Sequence, residues 1–429
     1  MMKKESLHWE LSLIHIAGLA FVFALFNLAI HWPGQLTPDS NSQLIEATSG
    51  NYRDWHPPIM AAIWRQLLLF GSHTVPMLVL QIALHWLGIG LLAAMLCREK
   101  LHKAAMIMLL SGFTPIAFKY TGIIQKDSLL ASFMIAGFGF ASIGNISFKW
   151  GGLMLGMVGM LSRANAVFAF PPLLFLTLRR SWQLPKVILF CLTVSIALIP
   201  VSQWINHSLL HAERSGVERS LQFYDLAGIA YFSNDNTVLP VYISDLEHCY
   251  TPLFWDTLTS ERCDNAFRRI DRSITQDWIR SIVTHPTAYA MHRLSHFNRE
   301  LFFLVPPAQQ CVEAREFHSC PKSFISDAIA KNGLLWPVAW LVLGLVMLFS
   351  GLIGVAQALC LSGLLYGFGY LLVGVAADFR YFYWTELAIQ TALILQLALS
   401  RFTLWRVALI AVVIVWFLGY VWRIEAILA

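Results

Sequence analysis

Residues 11–58 decide the reading. LSLIHIAGLAFVFALFNLAI (Leu11–Ile30) is followed, past Trp32, Pro33 and Gly34, by PDSNSQLIEATSGNYRDWHPP (Pro38–Pro58). The first run matches the roughly 20 apolar residues that cross a hydrocarbon core, and because unpaired backbone groups cannot face lipid it must be helical. With no small-residue cleavage site after it, the run is expected to be retained rather than removed as a signal peptide. The second run is the most polar piece of the first quarter of the chain. Asp39, Glu46, Asp54 and His56 can each move a proton or hold a cation, and the Asn, Gly, Trp and paired Pro residues suit turns. A chain leaving a bilayer surfaces there, which makes this stretch half of a candidate active site at a membrane face.

The rest of the chain fits that frame. Of 429 residues, 57% are hydrophobic and 13% charged, against about 25% charged in soluble domains, and the mean hydropathy is +0.60. This composition excludes a soluble globular enzyme and predicts an all-α polytopic membrane protein with about eleven spans. Lys3 and Lys4 precede the first span, Arg98, Lys100 and Lys103 follow the second (Val75–Leu96), Arg179, Arg180 and Lys186 follow a later pair, and Arg401 and Arg406 lie near the end. Lys and Arg in short loops mark the cytoplasmic side. The N-terminus is then inside, and the Pro38–Pro58 stretch outside.

Three regions follow: an N-terminal membrane region (1–206) with a first outer loop (32–74), a large outer segment (207–332) expected to fold as a helical lobe, and a C-terminal membrane region (333–429). In the first loop, Ser42–Thr48 suits a short helix and Ile59–Phe70 an amphipathic one lying in the interface. An arginine in the middle of a span costs a few kcal/mol, so Gly151–Leu178 is expected to form two short helices meeting at Arg163. Four of the seven cysteines (Cys249, Cys263, Cys311, Cys320) fall in the outer segment. Two bridges suit an oxidising compartment, most simply Cys249 with Cys263 and Cys311 with Cys320, although four cysteines allow three pairings. The absence of CxxC spacing argues against zinc.

Four polar groups are expected at the outer face. Asp39, Asp54 and His56 form the first; a carboxylate there can take a proton from a hydroxyl or hold a divalent cation, while the alternative for Asp39 is a helix N-cap and for Asp54 and His56 a rigid turn. Lys119, Lys126 and Asp127 form the second. Lysines on the side the charge rule disfavours suggest an anionic partner, against snorkelling or a local Lys126–Asp127 pair. Arg163 with Asn165 is the third. Asp378, Arg380, Tyr381 and Tyr383 make the fourth, with a guanidinium suited to phosphate, aromatic platforms for sugars or isoprenoid chains, and an Arg380–Asp378 pair as the alternative. His292 and His296 share a helix face, but no Glu follows His292 as in zinc proteases, so they are read as surface or packing histidines.

On these residues the chain resembles the GT-C superfamily of integral membrane glycosyltransferases, which includes the bacterial aminoarabinose transferase and the protein O-mannosyltransferases. The features are Asp39 in PDSNSQ with GNYRDWHPP downstream, QKDS (Gln125–Ser128), SRAN (Ser162–Asn165) and DFRYFY (Asp378–Tyr383). They cover the membrane part, about two thirds of the chain. The resemblance implies a GT-C-like fold in a bacterial inner membrane with its site on the periplasmic face. It implies inverting transfer of a hexosyl or pentosyl group from a polyprenyl-phosphate donor to an envelope glycan or lipid acceptor, with lipopolysaccharide among the candidates and no nucleic-acid partner. Asp39 would be the base, and Lys126, Arg163 and Arg380 would hold the departing phosphate. The family's first loop often carries paired acids, but here Ser40 follows Asp39, which leaves a divalent-cation requirement open. Two other readings predict different chemistry. An O-antigen polymerase or ligase would take a diphosphate-linked oligosaccharide, and a transporter would place its ionisable residues near the midplane and show internal repeats, neither of which the sequence displays.

Overall fold

The computed structural model describes residues 12–71, 73–178, 182–305, 332–352, 354–399 and 402–428. The chain is a helical membrane protein. Helix α1 (Leu13–His31) is long and apolar enough to cross a membrane, and α2 (Pro38–Ser49) and α3 (Ile59–Leu67) lie in the loop that follows. Helix α4 (Val75–Arg98) returns, with 24 residues spanning about 36 Å. Helices α5 (His102–Ser111) and α6 (Pro115–Gly122) are an apolar pair bent by 49° at the break between them. Next come α7 (Lys126–Ser142), α8 (Ile146–Leu161), α9 (Pro171–Thr177) and α10 (Leu184–Trp204). Among the described residues, six helices are long and apolar enough to cross a membrane, or seven if the bent pair is one span. The expected eleven included segments that prove short or broken. Gly151–Leu178, for instance, is divided at Arg163 into α8, a 3-10 turn (Ala164–Phe168) and α9, as its buried arginine required.

The described part of residues 207–332 folds as a helical lobe. Helices α11 (Glu218–Ser233), α12 (Leu246–Cys249), α13 (Thr275–Thr284) and α14 (Pro286–Glu300) surround their own apolar core of Phe223, Leu226, Trp255, Leu258 and Ile274. Cys249 and Cys263 are disulfide-bonded; Cys311 and Cys320 lie outside the described residues. Before α13, Ala266–Arg269 forms a separate 3-10 turn. Helices α15 (Pro337–Phe349), α16 (Gly354–Val373), α17 (Tyr383–Leu399) and α18 (Trp405–Leu428) complete the bundle.

Three short backbone pairings assemble the end of the bundle opposite Arg98. Gln35–Leu36 pairs in parallel with Ile123–Ile124, which sets the start of α2 beside the start of α7. Gly34, at φ +98°, makes the turn into that pairing, and a Cβ there would lie 2.7 Å from Ile124 Cδ1. The second pairing ties the first loop to the chain after α10: Asp54 N–H donates to the Glu213 carbonyl (3.0 Å) and Glu213 N–H to that of Tyr52 (2.9 Å). The third ties the lobe to the strand-like approach to Asp378, with Trp255 N–H on Val375 (2.9 Å) and Ala377 N–H on Leu253 (2.7 Å).

Two readings of the first loop change. Asp39 is not the cap of α2: Thr37 caps it, with Ser40 completing a reciprocal box, and Asp39 sits in the first turn. There its charge suits the helix dipole while its carboxylate is free to face elsewhere. Helix α3 is amphipathic but is not simply laid on a membrane surface, since Met60, Ala61 and Trp64 are buried in the protein.

Candidate functional site

Four segments meet at one cluster. Asp39 comes from the first turn of α2, His56 from the turn before α3, Lys126 and Asp127 from the first turn of α7, and Arg380 from the 3-10 turn (Phe379–Phe382) that leads into α17. Asp39 Oδ2 lies 3.3 Å from Lys126 Nζ and 3.2 Å from Arg380 Nη2. Lys126 Nζ also donates to His56 Nδ1 at 2.9 Å. With its lone pair taken there, the neutral imidazole carries its proton on Nε2, which points toward Asp39 Oδ1 at 4.0 Å.

A second tier lies beneath. Arg163, at the junction of α8 and the following 3-10 turn, is 2.5 Å from Asp127 Oδ1, and Arg380 Nε approaches Asp127 Oδ2 at 3.9 Å. Asn165 accepts from Arg163 Nε at 3.1 Å and so aims the guanidinium. The Tyr381 ring lies 4.2 Å from the Arg163 guanidinium carbon and 5.4 Å from that of Arg380, and it stacks on Tyr370 at 5.2 Å. Asp378 anchors the turn: one oxygen accepts from Arg380 N–H (3.0 Å) and the other pairs with Arg380 Nε (2.9 Å). Arg380 therefore makes its local pair and reaches Asp39 as well.

Exposure is graded. The Asp39 side chain is 28% exposed, Lys126 13% and Asp127 2%, so water reaches the upper acid and hardly touches the lower one. Burial alone would raise the Asp39 carboxyl, but Lys126, Arg380 and His56 outweigh it and hold it well below the usual carboxylate range. Burial, reinforced by Lys126, pushes His56 down to about 3, so its ring is neutral at physiological pH.

Not every expected residue joins. Asp54 is turned away and accepts from the backbone N–H (2.6 Å) and hydroxyl of Ser215, with His207 Nε2 at 3.5 Å; it fastens the loop. Lys119 lies over the Tyr120 ring at 5.4 Å. Tyr383 packs against Tyr120 at 5.0 Å rather than against the ionic cluster.

The donor set does not fit a divalent cation. The Asp39 oxygens face Lys126, Arg380 and His56, those of Asp127 and Asp378 face arginines, and no group of three His, Cys, Asp or Glu side chains among the described residues is placed to hold a metal.

Sequence reasoning missed a second ionic network, in the lobe. Asp225 Oδ1 meets Arg293 Nη2 at 2.5 Å and His292 Nε2 at 3.1 Å, and its Oδ2 accepts from Trp278 Nε1 at 2.8 Å. Tyr250 hydrogen-bonds His292 Nδ1 at 2.8 Å. The histidines are packing residues, as expected, but they are packed by polar partners. An acid inside the apolar run LQFYDLAGIA was the available signal. Comparison with protein-family models, curated proteins and solved structures finds no match for this chain.

Proposed function

We propose that the protein is a membrane glycosyltransferase of GT-C type that moves a sugar from a polyprenyl-phosphate donor to a hydroxyl acceptor at the outer face of a bacterial inner membrane. The observation that carries this reading is the contact of one water-accessible carboxylate, Asp39, with two cations from distant segments, Lys126 and Arg380. The composition and the long apolar helices support this reading, since a site at the end of a membrane bundle would lie within reach of a lipid headgroup.

The chemistry follows from competition for those cations. The donor phosphodiester carries one negative charge, as Asp39 does, and gains a second as its bond to the sugar breaks, and a guanidinium pairs readily with phosphate oxygens. Drawn onto the phosphate, the cations release the carboxylate, and its basicity rises as its positive neighbours leave. The acceptor oxygen then attacks the anomeric carbon and gives its proton to Asp39. The bond from that carbon to the phosphate oxygen breaks, and the phosphate leaves with the electron pair, its charge held by Lys126, Arg380 and Arg163. Attack opposite the leaving group inverts the anomeric centre. Asp127 holds Arg163 and Arg380 in register before the donor arrives.

The test is Asp39→Asn, purified into liposomes and assayed with labelled lipid-linked sugar. Transfer should fall by about 10² to 10⁴, the range for a positioned acid–base group. Undiminished turnover removes Asp39 from the mechanism, and turnover only with a diphosphate-linked oligosaccharide replaces this reading with a polymerase or ligase.

A further inference from the structure

A cavity of about 270 Å³ opens between the α5–α6 bend, α15 and α17. Its walls include Ile116, Leu335 and Leu387, and its polar side chains include Trp340, Tyr383 and Glu386. Tyr383 is 1% and Glu386 3% exposed. The Tyr383 hydroxyl, Glu386 Oε1 and Trp340 Nε1 have no hydrogen-bond partner among the described residues, and Glu386 makes no ion pair among them. Three polar groups without partners in one apolar cavity are costly to keep, and irregular backbone at membrane depth is tolerated where it lines a cavity.

We propose that this cavity binds an apolar chain ending in a hydroxyl group. A hydroxyl gives one proton and accepts two. Glu386 Oε1 can take the proton, while the Tyr383 O–H and Trp340 N–H can donate to the oxygen. The carboxyl disfavours an anionic head such as phosphate or carboxylate, and the aliphatic walls disfavour a sugar. Glu386 stands six residues past Arg380, about 10 Å on through the 3-10 turn and the first turn of α17, so the ligand enters beneath the ionic cluster. Tyr383 packs on Tyr120, and Tyr120 stacks on Phe379 at 6.3 Å, so an occupant supports the turn that carries Arg380.

Photocrosslinking of the full chain in nanodiscs tests this without any activity assay. A medium-chain alkanol carrying a diazirine is compared with the matched alkane, alkanoate and alkyl phosphate. The alkanol should label residues 114–117 and 383–390 about tenfold more than the alkane, the difference one or two neutral hydrogen bonds supply, and Glu386→Gln and Tyr383→Phe should reduce that preference. Equal labelling by the alkane, stronger labelling by the phosphate, or an unchanged preference in both variants overturns the proposal. Tyr383→Phe removes one oxygen and leaves the ring, so it decides alone should the Glu386 variant fail to fold.

Discussion

The chain contains two ionic networks built from the same kinds of residue, and they differ in access and in saturation. In the lobe, Asp225, His292, Arg293 and Trp278 are drawn together by helices that pack on one another, and the Asp225 and His292 side chains are both fully buried. Every strong partner of Asp225 is an internal side chain fixed by the lobe core. At the end of the bundle, Asp39 is part exposed, its partners come from separate segments, and one of its cations, Arg380, is shared with Asp127 and Asp378. The closed network fastens a fold. The open one can exchange a carboxylate for an incoming anion.

The comparison breaks most visibly at Asp225. Replacing it with Ala strands Arg293 in the lobe interior and should cost about 3–5 kcal/mol, the usual result of removing one member of a buried pair. A lowered unfolding midpoint in detergent checks this, and an unchanged midpoint would mean that the lobe network is not structural. Arg380→Ala should act the other way. Transfer should fall by about 10² to 10³, as for loss of one group stabilising the leaving charge, while the midpoint moves less than in Asp225→Ala because Arg163 still covers Asp127. Kinetics and unfolding of the two variants side by side give the contrast directly.

The smallest effect, taken per pH unit, is a slope shared by both regions. Burial, with Lys126, lowers His56 to about 3, and burial, with Arg293 opposing Asp225, lowers His292 to about 4. The unfolded chain therefore binds more protons than the folded one below the ordinary value of 6.5. Stability is complete above that value and is lost as pH falls toward 4, by about 1.4 kcal/mol per pH unit for each histidine. His56→Gln should make the midpoint less steep in pH by about one proton's worth. An unchanged slope would show that the imidazole is already protonated in the folded protein.

Much of the open cluster was legible because its members break the composition around them. Lys126, Asp127, Arg163 and Arg380 are charges at the ends of apolar runs, where a charge is expensive unless it is paired. Asp54 was not separable from Asp39 and His56 by that logic, since all three lie in one polar loop. Only the pairing of that loop with Glu213 and Ser215 shows that Asp54 points away. Glu386, like Asp225, is a lone acid inside an apolar run, and only the fold shows that one meets an arginine and a histidine while the other faces a cavity.

By itself the sequence determined the solvent of this protein and the depth of its charges. Hydrocarbon content and run length force helices into lipid, and the cost of an unpaired charge pushes ionisable residues to helix ends or into clusters. Which of those residues touch was decided only in three dimensions. Side-chain contacts of 3 Å depend on the pairing of Gln35–Leu36 with Ile123–Ile124 and on the anchored turn at Asp378. Such contacts join segments far apart in the chain, and hydropathy carries no information about which distant ends come together.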